Sequence, residues 1–262
     1  MTETTSSPLL RQDDERGVTT LTLNRPNAFN ALSEELLTAL QHEIDDLSKS
    51  TKVRVVIIQA AGKAFCAGHD LREMRAEPSL AYYQKLFTQC GQMMLSLQKL
   101  QVPVIAKVQG IATAAGCQLV AQCDLAVASI DTKFAVSGVN LGLFCATPSV
   151  ALSRNLSRKA AFEMLVTGDF ISAQEAMTKG LINRVAEPDE LDSAVETLVA
   201  KILTKPPVAL SMGKELFYIQ LEAGIAQAYE FAAQTMACNM MDASALEGVQ
   251  AFIEKRKPNW TS

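Results

Sequence analysis

Residues 103–129, PVIAKVQGIATAAGCQLVAQCDLAVAS, carry the pattern that decides the fold. Pro103–Val108 and Leu125–Ser129 are short, mostly apolar runs, which predicts two buried strands. Between them, a run of small residues at 110–116 leads into a short apolar helix. A strand, a helix and a second strand in this order predict a parallel βαβ unit.

The sequence before this unit alternates strands and helices in the same way. Val18–Asn24 alternates apolar and polar residues as a half-buried strand does, and Val53–Gln59 is a β-branched run typical of a buried strand. Helices are predicted from Ser33 to about Ser50, with acidic residues favourably placed at the N-terminus, and from Ser79 to Leu100. Alternation of this kind favours an α/β fold with a parallel sheet.

The last third of the chain has the pattern of helices, beginning at about residue 157. Ser172 and Glu175 form a predicted capping box for a helix that ends at Gly180. Three further helical segments are predicted at about 189–203, 206–220 and 224–256.

Composition and charge indicate one folded domain. The 262 residues are 48% hydrophobic and 20% charged, which is enough apolar material for a substantial core. We therefore predict a single domain over residues 1–262, with a core to about residue 195 and C-terminal helices from about residue 196. The net charge of −4 gives no electrostatic reason to bind nucleic acid or an anionic membrane.

The N-terminus and the cysteines bear on the location of the protein. The segment MTETTSSPLL lacks the basic and apolar regions of a signal peptide, and no apolar run reaches transmembrane length. We therefore expect a cytoplasmic protein without a membrane partner. The six cysteines form no CxxC pair, so they are interpreted as reduced, mostly buried thiols. With only two histidines in the chain, no metal site is expected.

Two loops that follow predicted strands form the candidate site. Ala64–Asp70 (AFCAGHD) follows the strand at 53–59, and GIATAAG at 110–116 follows the strand at 103–108. Small residues let a ligand approach backbone N–H groups closely, and the helix after the second loop presents its positive end there. The carboxyl ends of parallel strands meet at one edge of a sheet, so the loops should converge on a ligand. Asp70 is predicted to cap a short helix, with Glu73 as its return partner.

Four segments resemble the crotonase (enoyl-CoA hydratase/isomerase) superfamily, and its enoyl-CoA hydratase domain-containing subgroup in particular. They are AFCAGHDL, TAAGCQLVAQCDLAVAS, TGDFISAQEAMTKGLINRV and EGVQAFIEKRKPNW, which span residues 64–260. The resemblance implies a spiral of ββα units with a helical C-terminal trimerisation region, assembled as a homotrimer or a dimer of trimers. It also implies an acyl-CoA substrate and no cofactor, because the coenzyme A is part of the substrate.

The resemblance implies an oxyanion hole made by the backbone N–H groups of Cys66 and Ala115. Two main-chain donors aimed at a thioester oxygen would stabilise the negative charge of an enolate. Arg25–Phe29 is expected to form a wall beside the adenine, and Lys255 to bind the CoA phosphates. The complete set of expected substrate-binding residues is Arg25, Ala28, Phe29, Ala64, Ala67, Gly68, His69, Asp70, Leu71, Asn140, Cys145, Phe252 and Lys255.

The chain departs from the resemblance at the residues that move protons. The two glutamates of family hydratases fall at Gln118 and Gly138, and a third acidic position used by dienoyl-CoA isomerases falls at about Ala146. An amide is not a base near neutral pH, and Gly and Ala have no ionisable group. Standard two-glutamate hydration is therefore not expected. His69 is a candidate base and Cys145 a candidate nucleophile, with an inert role open for each.

Three functions stay open at this point. The first is an acyl-CoA enzyme with altered chemistry, in which water, a substrate carboxylate or a bound anion fills the space left by Gly138. The second is an acyl-CoA-binding protein without turnover. The third is thioester hydrolysis or decarboxylation, in which an oxyanion hole supplies most of the acceleration.

Overall fold

The computed structural model describes residues 7–76 and 78–260. Residues 1–6 of the segment MTETTSSPLL, which lacks the pattern of a signal peptide, lie outside the described residues. Within the described part of the chain, the strands are β1 (Leu9–Asp13), β2 (Val18–Leu23), β3 (Val55–Ala60), β4 (Val104–Val108), β5 (Ile111–Thr113), β6 (Leu125–Ser129), β7 (Lys133–Ala135), β8 (Ile171–Ser172) and β9 (Arg184–Ala186).

The same residues form helices of two kinds. The α-helices are α1 (Glu34–Lys49), α2 (Leu71–Ala76), α3 (Leu80–Lys99), α4 (Ala115–Gln122), α5 (Ala146–Asn155), α6 (Arg158–Thr167), α7 (Ala173–Lys179), α8 (Leu191–Leu203), α9 (Pro207–Leu221), α10 (Ile225–Met240) and α11 (Ala243–Ile253). Short 3-10 helices lie at Pro26–Ala28 and Ser137–Leu141. No helix among the described residues combines the length and apolar character that crossing a membrane requires.

The main sheet has the strand order β1-β2-β3-β4-β6-β9. In this sheet β2, β3, β4, β6 and β9 run parallel, whereas β1 pairs antiparallel with β2. One face packs against the large core, with Leu21, Ile58 and Ala106 fully buried. The other face packs against α8 through Val127, Val195 and other apolar residues. Because both faces of the parallel strands are covered, the central strands β3, β4 and β6 are mostly apolar.

A second, three-stranded sheet has the order β5-β7-β8. β5 and β7 are parallel and in register, so that Thr113 lies opposite Ala135. Both strands end at this pair. The residues that follow, the start of α4 and the 3-10 helix at 137–141, therefore emerge side by side at one end of the small sheet.

The structure confirms the main elements that the sequence predicted. Ser33 caps α1 by accepting a hydrogen bond from the Leu36 N–H at 3.1 Å. Ser172 and Glu175 form the reciprocal capping box of α7, and Gly180 ends that helix in the left-handed region at φ 91°. The predicted strands at 18–24, 53–59, 103–108 and 125–129 correspond to β2, β3, β4 and β6.

Three predictions about elements were wrong. The segment 224–256 is two helices, because the Asp242 carboxylate caps α11 by accepting from the Ser244 N–H at 2.8 Å. Asp70 does cap α2, but Glu73 accepts from the Glu34 N–H at 3.0 Å and so caps α1. The expected boundary at about residue 195 falls inside α8, which packs on the main sheet, so the helices outside the core begin after Leu203.

Candidate active site

A cavity of about 190 Å³ opens where the two predicted loops meet. Its lining is mostly apolar, and no charged side chain of the described residues lines it. The lining residues are Ala67, His69, Leu71, Met74, Phe87, Ala114, Ala115, Ser137, Gly138, Leu141, Leu143, Phe144, Cys145, Ala146, Thr147 and Pro148. The cavity thus joins both loops to the segment that follows β7.

The first loop is held in place by backbone hydrogen bonds to the chain at 29–32. Ala67 N–H donates to the Phe29 carbonyl at 3.0 Å, and Leu32 N–H donates to the Gly68 carbonyl at 2.7 Å. Asp70 N–H donates back to the Leu32 carbonyl at 3.1 Å. In this parallel bridge, the His69 N–H points away from Leu32, and it has no acceptor among the described residues. A free main-chain donor therefore lies at a residue that lines the cavity.

The prediction of Cys66 as an oxyanion donor was wrong. Its N–H donates to the Ile111 carbonyl at 3.1 Å, so this donor is already satisfied inside the protein. Its side chain is fully buried, and burial raises the pKa of the thiol to about 12. The unpaired N–H in this loop belongs to His69, three residues later. Sequence reasoning missed it because only the hydrogen-bond pattern distinguishes the two donors.

The second predicted donor, Ala115, is the first residue of α4 and lines the cavity. N–H groups in the first turn of a helix have no partner within that helix. The residue before it, Ala114, adopts φ 50° and ψ −121°, a conformation that a non-glycine residue rarely takes. The turn brings the two loops close together: a Cβ on Gly68 would lie 3.4 Å from the Ala115 nitrogen.

The His69 imidazole is neutral at ordinary pH. Its ring lies edge-on to Phe87 with 5.4 Å between the ring centroids. Burial lowers the pKa of His69 to about 4, against the opposing effect of the Leu32 backbone. Neither ring nitrogen makes a hydrogen bond of normal geometry among the described residues. The ring is therefore a poor acceptor of protons at neutral pH, despite its place in the cavity wall.

The two positions that the resemblance assigns to the hydratase glutamates have different surroundings. Gln118 is only 4% exposed, does not line the cavity, and its side-chain oxygen has no partner among the described residues. Gly138 lines the cavity, but the expectation of empty space beside it was wrong. A Cβ there would lie 2.4 Å from the Leu143 carbonyl oxygen and 2.7 Å from the Cys145 sulfur. Ala146, the third position, begins α5 and lines the cavity.

Cys145 fills the space beside Gly138. Its sulfur accepts a hydrogen bond from the Gly138 N–H at 3.3 Å, and the side chain is buried. Burial raises the pKa of this thiol, and the Gly138 N–H only partly opposes the rise. The thiol is therefore protonated at neutral pH, which favours the inert interpretation over the nucleophilic one.

Several expected substrate-binding residues do not line the cavity. The Arg25 guanidinium donates to the Asp70 carboxylate at 2.9 Å and to the Ala31 carbonyl at 2.5 Å, so its charge is already paired. Phe29 is exposed beside Lys63, and Asn140 is exposed with a weak contact to Gly168. The other six are Ala28 and the buried Ala64 near this wall, Gly68 and Asp70 in the first loop, and the exposed Phe252 and Lys255 at the end of α11.

The cavity also contains residues that sequence reasoning did not single out. Met74 and Phe87 lie on α2 and α3, and no motif marks them. Ser137 stands directly before Gly138, and its hydroxyl lies 3.0 Å from that of Thr113. Only the pairing of β5 with β7 brings Ser137 beside the second loop. No group of three or more His, Cys, Asp or Glu residues in the described part of the chain could hold a metal ion.

Similarity to known proteins agrees with this architecture. The family model described as enoyl-CoA hydratase/isomerase matches residues 13–262. Enoyl-CoA hydratase domain-containing protein 3, mitochondrial, from Xenopus laevis is 43% identical over 97% of this chain and 87% of its own length. The short-chain-enoyl-CoA hydratase of Clostridium acetobutylicum is 32% identical over 94% of each chain.

A solved structure extends the likeness to three dimensions. The crystal structure of an enoyl-CoA hydratase from Mycobacterium smegmatis superposes with a TM-score of 0.97 at 63% identity. The match covers 98% of this chain and 100% of that one. The sequence and the fold thus lead to the same assignment, in which the spiral core carries the cavity and α9–α11 form the helical C-terminal region. The chain belongs to the enoyl-CoA hydratase/isomerase family, within the crotonase superfamily.

Proposed function

We propose that the protein binds acyl-CoA thioesters and polarises the thioester carbonyl with the backbone N–H groups of His69 and Ala115. The observation that carries the proposal is that both residues line one apolar cavity and neither N–H has an acceptor among the described residues. Both loops are rigidly held, since the first bonds to the chain at 29–32 and the second opens α4. Preorganised donors of this kind stabilise negative charge that develops on oxygen.

The chemistry supported by two such donors is enolate formation or addition to the carbonyl. Each donor in an oxyanion hole contributes roughly 3–4 kcal/mol to the stability of the transition state. The α-carbon of the bound thioester becomes more acidic as charge moves to the oxygen. The donors need no metal and no cofactor beyond the CoA of the substrate itself.

The cavity provides few groups that could accept or donate a proton during the reaction. No carboxylate among the described residues lines it, and the buried imidazole of His69 is a weak base. Loss of general acid–base help typically costs about 10²–10⁴-fold in rate for each group. We therefore propose slow turnover of simple enoyl-CoA substrates, with water as the proton acceptor. Binding without turnover is the second candidate function.

Decarboxylation has less support than these two. A substrate with a free carboxylate besides the thioester would place a negative charge in a lining that carries no cation among the described residues. An unpaired charge in an apolar site is strongly unfavourable. Thioester hydrolysis stays open, because it requires only a polarised carbonyl and a water molecule.

The proposal can be tested by vibrational spectroscopy on the purified protein. Butyryl-CoA with a ¹³C-labelled carbonyl is bound, and the carbonyl stretch is compared with that of the free ligand. Hydrogen bonds from two N–H groups should lower the frequency. In Ala115→Pro, which lacks one N–H, the shift should be smaller, whereas Ala115→Gly keeps the N–H and should retain it. A bound ligand with an unshifted carbonyl would contradict the proposal.

Turnover is measured separately. The wild type is incubated with crotonyl-CoA, butyryl-CoA and malonyl-CoA, and the products are identified by mass spectrometry. Hydration, hydrolysis and decarboxylation give products of different mass. Binding without any product supports a binding protein. Crotonyl-CoA hydration at an ordinary enzymatic rate of about 1–10³ s⁻¹ would show that a group in this protein transfers protons efficiently.

A further inference from the structure

The cavity wall contains a pair of hydroxyl groups beside the proposed Ala115 donor. Thr113 Oγ1 and Ser137 Oγ are 3.0 Å apart, and either atom can donate the hydrogen bond. Ser137 lines the cavity, whereas Thr113 does not. In such a pair, one hydroxyl group satisfies the other and keeps a further donor or acceptor free. The pair therefore presents the Ser137 hydroxyl to a ligand with its orientation already restricted.

The register of the small sheet places this hydroxyl near the polarising donor. Thr113 and Ala135 are opposite each other at the ends of β5 and β7. Ala115 and Ser137 each follow that pair by two residues, and both line the cavity. Neighbouring strands lie about 4.8 Å apart. Ala115 and Ser137 therefore lie on neighbouring segments of the same cavity wall.

Besides the His69 imidazole, whose ring nitrogens have no partner among the described residues, the remaining lining gives a ligand oxygen few other partners. The Gly138 N–H is engaged by the Cys145 sulfur at 3.3 Å. Thr147 is the other hydroxyl-bearing side chain in the lining, and it lies on α5, beyond Cys145. A hydroxyl group placed in an otherwise apolar wall discriminates between ligands, because it is left without a ligand partner whenever the acyl chain carries no oxygen.

We propose that Ser137, held by Thr113, is a specificity-determining residue that hydrogen-bonds an oxygen on the β-carbon of the acyl chain. The site then prefers 3-hydroxyacyl thioesters to the corresponding saturated thioesters. This inference rests on the proposed binding of acyl-CoA. Thr113 is a positioning residue, because it acts through Ser137 and does not itself line the cavity.

The experiment compares two ligands that differ by one oxygen atom. Affinities for 3-hydroxybutyryl-CoA, with each enantiomer measured separately, and for butyryl-CoA are determined by calorimetry. A neutral hydrogen bond is worth about 0.5–1.5 kcal/mol, so one 3-hydroxybutyryl enantiomer should bind about two- to twelvefold more tightly than butyryl-CoA. In Ser137→Ala this ratio should fall to about one.

The variants at position 113 test the positioning role. Thr113→Val keeps the shape of the side chain but removes its hydroxyl, so the ratio should fall. Thr113→Ser restores a hydroxyl and should recover the ratio, which a purely structural role would not predict. Ser149→Ala is the matched control, because the Ser149 hydroxyl bonds to the Ala146 carbonyl and lies outside the cavity lining. Thermal unfolding of each variant establishes that it is folded.

The outcomes separate this inference from the proposed function. A wild-type ratio near one for both enantiomers overturns the role of Ser137 while acyl-CoA binding stands. A high ratio that survives in Ser137→Ala, or in Thr113→Val if the first variant does not fold, overturns it as well. If neither thioester binds to the wild type, the proposed function fails and the inference fails with it.

Discussion

Backbone strain at Ala114 can be measured directly as stability. This residue has φ 50°, in a region that costs a non-glycine residue of order 1–3 kcal/mol. Ala114→Gly should remove most of that strain, offset in part by the greater entropy of glycine in the unfolded chain. We expect the free energy of unfolding to rise by about 1 kcal/mol in urea denaturation. Ala200→Gly, at an exposed position within α8, should instead lower it by about 1 kcal/mol.

The depressed pKa of His69 predicts a loss of stability in acid. The folded-state pKa of about 4 lies below the ordinary value of 6.5, so protons bind preferentially to the unfolded state. Stability should therefore fall as the pH drops from about 6.5 to 4, by up to about 3 kcal/mol, and His69→Gln should lack this component. Urea denaturation at pH 7.5, 5.5 and 4 measures it. His42→Gln, at an exposed position on α1, serves as the control and should follow the wild type.

Gly138 does not offer room for a restored carboxylate. Since a Cβ at this position would meet the Leu143 carbonyl oxygen at 2.4 Å, Gly138→Glu should displace the loop that contains Cys145. Overpacking of this kind typically costs 1–3 kcal/mol. We expect Gly138→Glu, alone or with Gln118→Glu, to unfold at a lower temperature and to hydrate crotonyl-CoA no faster than the wild type. A stable double variant with raised hydratase activity would contradict this, because it would show that the loop can move to accommodate the glutamate without loss of stability.

At the scale of elements, α9 is attached to the core by a largely buried charged cluster. The Lys214 ammonium contacts the Asp124 carboxylate at 2.6 Å and donates to the Val102 and Leu97 carbonyls at 3.0 and 3.2 Å. The Tyr218 hydroxyl donates to the same carboxylate at 2.7 Å. Burial lowers the pKa of Lys214, and the Asp124 charge opposes that effect. The cluster links α9 to the chain directly after α4.

Breaking one partner of this cluster should be costly. Lys214→Met leaves the Asp124 carboxylate buried without its cation, and such losses typically amount to 3–5 kcal/mol. The double variant Lys214→Met with Asp124→Asn removes the unpaired charge and should recover part of the loss. Arg154→Met, which breaks an exposed ion pair with Glu222, should change little. The readout is the free energy of unfolding, and a loss below about 1 kcal/mol for the single variant would refute the buried-pair argument.

The elements that sequence patterns predicted best are those that local chemistry specifies. Ser33 and the Ser172–Glu175 box marked helix starts because their side chains bond to N–H groups within four residues. The end of α10 was missed because apolar residues continue through Met241 into α11. Glu73 was misassigned because its acceptor role depends on a residue 39 positions away. Long-range pairing of this kind leaves no periodic signal in the sequence.

The same distinction between local chemistry and long-range contacts applies to the candidate site. The sequence predicted which loops meet, because parallel strands place their carboxyl ends at one edge. It could not choose between the N–H groups of Cys66 and His69, since the choice depends on which one the Ile111 carbonyl occupies. Nor could it show that Cys145 fills the space beside Gly138. Backbone direction and side-chain volume at a loop are properties of the assembled molecule.

At the scale of the whole molecule, the C-terminal helices expose an unusually apolar surface. The exposed side chains on α9, α10 and the segment after α10 are Phe217, Ile219, Leu221, Ile225, Tyr229, Met236, Met240 and Met241. Large apolar patches on the surface of a protein commonly mark an interface with another protein, and these segments concentrate exposed apolar side chains. Lys255 and Phe252, the residues expected at the CoA phosphates, lie beyond them at the end of α11 and outside the cavity lining of their own chain.

We therefore predict that the chain assembles as a homotrimer or a dimer of trimers through this surface. Light scattering at micromolar concentration should give three or six times the mass of one chain. Ile225→Glu with Tyr229→Glu places charges in the middle of the surface and should yield smaller species, because burying unpaired carboxylates is strongly unfavourable. Leu95→Glu, at an exposed apolar position on α3, should leave the mass unchanged. A monomeric wild type would refute the assignment of this surface, and dissociation by Leu95→Glu alone would place the interface elsewhere.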